Sequence, residues 1–350
     1  MGKKVFVSGI SGQDGSYMVE YLLKNVSDVE VYGGARRLSV NNHENFEHIK
    51  DSRFRLVDFD LTDPYNIQKN IQEIQPDYFI NFAAQSFVGS SWDNPALTFQ
   101  VNTMGVLYIL EAIRKLSPKT RLYQAGSSEE FGDVVTVPQD ETHPLRPRSP
   151  YGASKASARH LVKVYRESYD LYAVQGYLFN HESERRGIHF VTRKITSNVA
   201  RIRKAINVGE QFDPIELGNL DTRRDWSHAE DFVDGIWRML NQDVYKSWDG
   251  KPKDYVLSSN KTHSIKEFVE RAFWEAGISG QWQGEGMNLT YLKEGTNLPL
   301  VVVNKDFYRP AEVDLLLGDS TKVREDLSWD PQVSFDDLVR RMVKSDLQGA

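Results

Sequence analysis

Lys3-Lys4-Val5-Phe6-Val7-Ser8-Gly9-Ile10-Ser11-Gly12-Gln13-Asp14-Gly15 opens the chain and decides its architecture. A short apolar, β-branched run passes into three glycines spaced GxxGxxG. A helical pattern follows through Tyr17, Val19, Tyr21, Leu22 and Leu23. The run reads as a buried strand, because a strand covered on both faces needs no polar alternation. Glycines in such a turn let backbone approach a pyrophosphate, and the helix N-terminus complements its charge. This opening predicts an α/β protein with a doubly wound parallel sheet and a dinucleotide site over its first turn.

Strand–helix alternation continues outward from this start. Strands are expected at Val29–Ala35, Phe54–Leu61, Asp77–Phe82, Arg121–Ala125 and Ala173–Phe179, with a helix from about Ala96 to Leu116. Ligands of such sheets lie beyond the carboxyl ends of the strands. After the second strand a carboxylate is expected to bind a ribose 2′-hydroxyl, but Arg36 and Arg37 stand there. Two guanidiniums pair with a 2′-phosphate, so the expected cofactor is NADP. Asp60 closes the third strand, where an adenine should sit. The small turn Ala83-Ala84-Gln85-Ser86 after the fourth lets backbone lie close to the cofactor.

Arg148-Ser149-Pro150-Tyr151-Gly152-Ala153-Ser154-Lys155 reads as a helix start, with Ser149 as cap and Pro150 in the first helical position. Tyr151 and Lys155 then share a face, one turn apart. An ammonium held there should lower the phenol's pKa from about 10, so that it can take an alcohol proton as hydride leaves the carbon. Gly126-Ser127-Ser128-Glu129-Glu130 follows the fifth strand, and Glu129 is a candidate acid or base beside hydroxyls, with Glu130 an adjacent rival. Basic residues in Asn180–Gly187 and Phe190–Lys194 suit an anionic ligand, most simply a diphosphate.

Composition narrows the function further. The 350 residues carry 43 Lys and Arg against 49 Asp and Glu, a net charge of −6 with neutral histidine, which disfavours nucleic-acid and anionic-membrane binding. With no cysteine, disulfides, thiolate–metal sites and cysteine nucleophiles are excluded. The eight histidines lack metal-ligand spacing, so no metal is expected. No signal peptide is read, no stretch is read as approaching a membrane span, and a cytoplasmic location is expected. The chain divides into a cofactor-binding body, 1–182 with returning segments near 214–260, and a smaller substrate-binding body, 183–213 and 261–350.

Six stretches together resemble the extended short-chain dehydrogenases/reductases, and within them the GDP-mannose 4,6-dehydratases. They are GISGQDGSYMVEYLL from Gly9, RPRSPYGASK from Arg146, LFNHESERRG from Leu178, FVTRKI from Phe190, GNLDTRRDWSHAEDFV from Gly218 and YRPAEVD from Tyr308. The resemblance implies a catalytic hydroxyl at Ser127, an acid/base at Glu129, a phenolate at Tyr151 and its partner at Lys155. It implies cofactor contacts at Gly9, Ile10, Ser11, Gly12, Gln13, Asp14 and Gly15, then at Arg36, Arg37, Leu38, Ser39, Asp60 and Leu61. Further cofactor contacts carry over to Phe82, Ala83, Ala84, Gln85, Ser86, Tyr151, Lys155, His181 and Arg186. Substrate contacts carry over to Ser86, Ser127, Glu129, Asn180, Lys194, Arg224, Arg309 and Glu312. The implied activity is dehydration of a GDP-sugar through bound NADP, in a homo-oligomer, dimer or tetramer. Another nucleotide sugar such as GDP-manno-heptose, or a non-catalytic NADP-binding relative, are the alternatives. The chain departs from the family pattern at Ser127 (commonly threonine), Phe87 (histidine), Leu97 (an aromatic) and Glu184 (proline).

Overall fold

The computed structural model describes residues 2–37, 42–308 and 315–349. The chain runs β1 (Lys3–Ser8), α1 (Gln13–Asn25), β2 (Val29–Ala35), β3 (Phe54–Asp58), α2 (Pro64–Ile74), β4 (Tyr78–Asn81), α3 (Ser90–Asp93), α4 (Pro95–Phe99), α5 (Gly105–Leu116) and β5 (Arg121–Ala125). Next come α6 (Pro150–Tyr169), β6 (Ala173–Leu178), β7 (Asn180–Glu182), α7 (Val191–Val208), β8 (Ile215–Leu217), β9 (Arg223–Arg224), β10 (Trp226–His228) and α8 (Ala229–Leu240). The remainder is β11 (Val256–Leu257), β12 (His263–Ser264), α9 (Ile265–Glu275), β13 (Gly280–Gln283), β14 (Thr290–Lys293), β15 (Pro299–Val303), β16 (Leu315–Leu316), α10 (Thr321–Leu327) and α11 (Phe335–Gly349).

Seven strands form the central sheet in the order β11-β6-β5-β4-β1-β2-β3, all parallel. Period-2 geometry sends Phe6 to one face and its neighbours Val5 and Val7 to the other. Phe6 stacks on Phe79 and shares one buried cluster with Leu122, Ile67 and Ile71 of α2, Ile109 and Ile113 of α5, and Val162 of α6. Val5 and Val7 share another buried cluster with Met18 and Leu22 of α1 and Phe232 and Ile236 of α8. Both faces are covered, which is why β1 carries no polar alternation. The third strand ends at Asp58 rather than Leu61, and Asp60 and Leu61 belong to the turn that follows.

A second core lies between α7, α9 and α11 and a four-stranded sheet, β13-β14-β15-β8, around Ile195, Val199, Phe268, Phe273, Leu338 and Met342. Of the stretch near 214–260, α8 and β11 join the first core, whereas β8 pairs with β15 in the second sheet. The chain also returns to the first core later. Val323, Leu327 and Trp329 pack there, and Trp329 Nε1 donates to Asp231 O at 2.8 Å.

The run Pro95–Leu116 is, on length and composition alone, long and apolar enough to cross a membrane, contrary to the expectation from sequence. Here its Val106, Ile109, Leu110 and Ile113 are buried in the first core. Between α4 and α5 it contains a π-helical segment, Gln100–Met104, with Asn102 buried in it.

Trp329→Ala should lower the unfolding free energy by about 3–5 kcal/mol. The exposed Trp274→Ala should change it by no more than about 0.5 kcal/mol. Urea unfolding compares them, and equal small effects would remove residues 321–329 from the first core.

Candidate active site

The cofactor cradle is built from close backbone approach. Gly9 has φ +72°, and a Cβ there would stand 2.8 Å from Ala83 N, so the turn after β4 can pass this close only over glycine. A Cβ on Gly15 would stand 2.4 Å from Gly9 O. Helix α1 begins at Gly12 with no side-chain cap, which leaves its N-terminal dipole facing the sheet edge. Ile10 is fully buried in the core, so it meets a ligand only through backbone. Gln13 Nε2 donates to His181 O at 2.8 Å and its Oε1 accepts from Ser183 Oγ at 2.8 Å, joining α1 to the loop after β7. Asp14 Oδ1 is buried without a hydrogen-bond partner, an acceptor that a cofactor hydroxyl or amide would satisfy.

Arg36 and Arg37 are exposed at the carboxyl end of β2, and the Arg37 amide donates to Asp58 Oδ1 at 3.2 Å. Leu38 and Ser39 lie outside the described residues. Asp60 Oδ1 accepts from the Thr62 amide and hydroxyl, both at 2.8 Å. Leu61 is buried against Gly105. The Gln85 backbone exchanges two hydrogen bonds with the Asn102 amide, whose Nδ2 also donates to Ser154 Oγ at 3.0 Å. The π segment thereby ties the Ala83–Ser86 turn to α6. An uncapped helix start and a glycine-only approach fit a nicotinamide dinucleotide, with two exposed guanidiniums at the end of β2.

The turn after β5 separates the two adjacent glutamates. Ser127 Oγ accepts from Glu129 N at 3.2 Å, and Ser127 N donates to Glu130 Oε1 at 2.8 Å, a capping box that turns Glu130 inward. Glu130 is fully buried, while Glu129 lines the cavity. Ser149 Oγ accepts from Gly152 N at 3.0 Å, and Pro150 occupies the first turn of α6, as its sequence requires. Tyr151 and Lys155 are buried on one helix face, and Lys155 Nζ donates to Ala125 O at 2.9 Å.

The expected lowering of the tyrosine pKa is not found. Burial pushes the Tyr151 phenol well above its ordinary value, and the charges of Glu129 and Glu130 add to this. A hydrogen bond with Ser127 and the Arg186 charge oppose them without prevailing. It is Lys155 whose pKa falls: burial brings it down to about 8, against the restoring charges of Glu130 and Asp14. His181 makes the neighbouring polar pair, with Nε2 3.0 Å from Asp14 Oδ2 and Nδ1 donating to Phe179 O at 2.8 Å. Burial works against the charged imidazole, and Asp14 outweighs it, so the His181 pKa is raised.

One cavity of about 800 Å³ collects Asp14, Phe82, Ala84, Ser86, Ser127, Glu129, Tyr151, Lys155, Asn180, His181, Arg186, Lys194 and Arg224. Lys194 Nζ lies 3.6 Å from the centre of the Phe307 ring, and Arg224 Nη1 donates to Arg223 O. Arg309 and Glu312 lie outside the described residues. Trp92, Asn198, Asn219, Trp226 and Phe307 also line the cavity and were not read as site residues. Asn219 and Trp226 sit inside the motif from Gly218, a signal left unused, whereas Phe307 is brought in by the second sheet.

The departures from the family pattern are placed as well. Phe87 lines the cavity and meets Phe190 edge-on, with ring centres 5.8 Å apart. Leu97 is exposed and outside the cavity lining. The Glu184 carboxylate accepts from Tyr17 OH at 3.2 Å and from His228 Nε2 at 3.1 Å. His228 Nδ1 accepts from Glu230 N, so the ring proton belongs on Nε2. Glu184 therefore joins α1 to the end of β10.

A buried ammonium has a thermodynamic signature. Folded, Lys155 loses its proton near pH 8, but the ordinary value for an unfolded chain is 10.5. The folded state binds fewer protons between these values, so stability rises with pH across that window. Lys155→Met should therefore raise the unfolding free energy at pH 7 by up to about 3 kcal/mol, and this gain should fade between pH 8 and about 10.5. Denaturant titrations at several pH values test this; a gain independent of pH would contradict it.

A family model described as GDP-mannose 4,6 dehydratase matches residues 6–342. The GDP-mannose 4,6 dehydratase of Drosophila melanogaster is 43% identical over 99% of this chain and 86% of its own length. That of Sinorhizobium fredii is 43% identical over 99% of this chain and 97% of its own. Among solved structures, the Thermus thermophilus UDP-glucose 4-epimerase complex with NAD aligns with a TM-score of 0.77 at 25% identity, covering 99% of both chains. The sequence matches run from the glycine turn through the Tyr151–Lys155 face to the last helix, and the chain belongs to the GDP-mannose 4,6-dehydratase family.

Proposed function

We propose that this nucleotide-sugar dehydratase, a hydro-lyase, converts GDP-D-mannose to GDP-4-keto-6-deoxy-D-mannose with NADP retained through turnover. The observation that carries the reading is the convergence of Ser127, Glu129, Tyr151 and Lys155 on one cavity, with Glu129 rather than Glu130 lining it. Gly9–Gly15, Arg36, Arg37, Asp60 and the Phe82–Ser86 turn would hold the cofactor along the sheet edge. Lys194, Arg224 and Asn180 would hold the sugar nucleotide across the cavity.

A bound nicotinamide supplies a reversible hydride acceptor, so oxidation at C4 and reduction at C6 cancel. Tyr151, hydrogen-bonded to Ser127, would take the proton of the C4 hydroxyl as a phenolate. Burial disfavours that form in the protein alone, and the positive charge of a bound oxidised nicotinamide would favour it. The ketone at C4 acidifies C5, and Glu129 removes the C5 proton. Glu129 then gives that proton to the C6 oxygen, which departs as water. C5 regains a proton equivalent to the one Tyr151 took, which closes the balance. Lys155 holds the phenol's surroundings in place through its bond to Ala125 O. Assembly into a dimer or tetramer belongs to the same reading, supported by the exposed apolar Leu97, Phe99 and Met104 along one helical run.

Purified protein given GDP-D-mannose should yield a product lacking one water, with no lasting change in nicotinamide absorbance. Accumulating NADPH would refute the dehydration. Glu129→Gln should lower kcat by about 10²–10⁴-fold while NADP still binds; undiminished turnover would remove Glu129 from the chemistry.

The arginines set the cofactor prediction. A charge-assisted hydrogen bond contributes about 1.5–3 kcal/mol, so Arg36→Ala or Arg37→Ala should weaken NADP binding about ten- to hundredfold and leave NAD binding unchanged. Equal losses for both cofactors, measured by calorimetry, would overturn the preference for NADP.

A further inference from the structure

Helix α6 carries a third residue on the Tyr151–Lys155 face. Arg159 follows Lys155 by one turn and is buried. Its Nε meets Glu130 Oε2 at 2.5 Å, with the two side chains 5% and 0% exposed. Its remaining donors reach Gly176 O at 3.1 Å, Gln175 O at 3.3 Å and Asp254 Oδ2 at 3.5 Å, and its guanidinium stacks on Tyr177. The other Glu130 oxygen accepts from Ser127 N at 2.8 Å and Gln175 Nε2 at 3.0 Å. Gly126 permits this arrangement. A Cβ there would stand 2.7 Å from Glu130 Oε1, 2.8 Å from Arg159 Nη2 and 2.2 Å from Gly176 O. The ion pair thus lies directly against the backbone that presents Ser127 and Glu129.

A buried ion pair adds little stability over an apolar pair of the same volume, so stability alone does not account for it. We propose that Glu130 and Arg159 are positioning residues: they clamp the Ser127–Glu129 turn to the helix face of Tyr151 and Lys155, and set the electrostatic field on that face. The role assigned rests on the dehydratase reading above.

The charges around this face are few. Lys155 feels Glu130 from the turn and Asp14 from α1, with Glu130 the larger influence. Tyr151 feels Glu129, Glu130 and Arg186. The pair itself is flanked by Tyr177 of β6 and by Asp254, which is held by Arg166 at 2.8 Å, and Tyr123 of β5 feels Glu130, Arg159 and Asp254. Glu130→Gln keeps an acceptor for Ser127 N but leaves Arg159 unbalanced, so Lys155 should lose its proton at lower pH. Arg159→Met leaves Glu130 unbalanced, so Lys155 should hold its proton to higher pH.

The test is a titration of Lys155 in the full chain by carbon-13 NMR of labelled lysine, assigned with Lys155→Met, alongside the pH profile of kcat. The midpoint and the matching limb of kcat should move down by about half a unit or more in Glu130→Gln and up in Arg159→Met. Arg159→Lys should restore both. The double variant Glu130→Met/Arg159→Met fills the space without charge; it should fold, with kcat lowered about tenfold and KM near that of the wild type. Unmoved midpoints, shifts of the same sign in both single variants, or full kcat in the double variant would overturn the proposal. If the wild type fails to dehydrate GDP-D-mannose, the dehydratase reading falls, while the NMR midpoints still decide whether the pair governs this face.

Discussion

Parallel pairing of all seven central strands is the constraint on which the rest depends, because it opens every strand's carboxyl end on the same edge. The turns at Gly9–Gly12, Arg36–Arg37, Asp60–Leu61, Phe82–Ser86 and Gly126–Glu130 all emerge there. Loops alone would not hold such a site still. They are laced together by side chains from distant positions: Ser8 to Asn81, Asn81 to Gln124, Asn102 to Gln85 and Ser154, and Gln13 to Ser183. Buried polar groups that are fully paired rigidify their surroundings, and these bonds join neighbouring strand ends in turn.

Beside this edge β7 and β10 pair in parallel and bring Asn180, His181, Glu182 and Trp226 to the cavity, which is also lined by Leu217, Ile265 and Phe307. One wall of the cavity therefore belongs to the sheet and the other to elements whose core lies elsewhere. Lys155 shows what enclosure does to a charge. Taking its ammonium out of water works against the folded state, and a site that needs a charged group in a closed place gives up stability for it.

Much of the seven-stranded sheet and its turns was legible because its signals are local. The apolar run before Gly9, the glycine spacing, the cap at Ser149 and the four-residue step from Tyr151 to Lys155 each act within a few residues. What was not legible depends on partners far along the chain. Nothing near Trp329 says that it lies beside Gly235, and nothing near Phe307 says that Lys194 lies over its ring. The choice between Glu129 and Glu130 had a local signal, since Ser127 stands three residues before Glu130 at the spacing of a capping box, and distant Arg159 and Gln175 complete the inward turn. The Tyr151 expectation failed for a different reason. Counting nearby charges favoured a lowered pKa, and the larger effect, loss of water around the phenol, is invisible until burial is known.

The Glu130–Arg159 pair also bears on how this chain can change over generations. Removing one partner strands the other's charge in the interior, which costs about 3–5 kcal/mol, a large share of the roughly 5–15 kcal/mol that holds a domain together. Two apolar residues could fill the same space, yet every route to them by single substitutions passes through such a stranded charge. The two positions should therefore change together rather than one at a time. A sequence that holds the pair and one that holds an apolar filling would stand on separate footholds, with less stable intermediates between them.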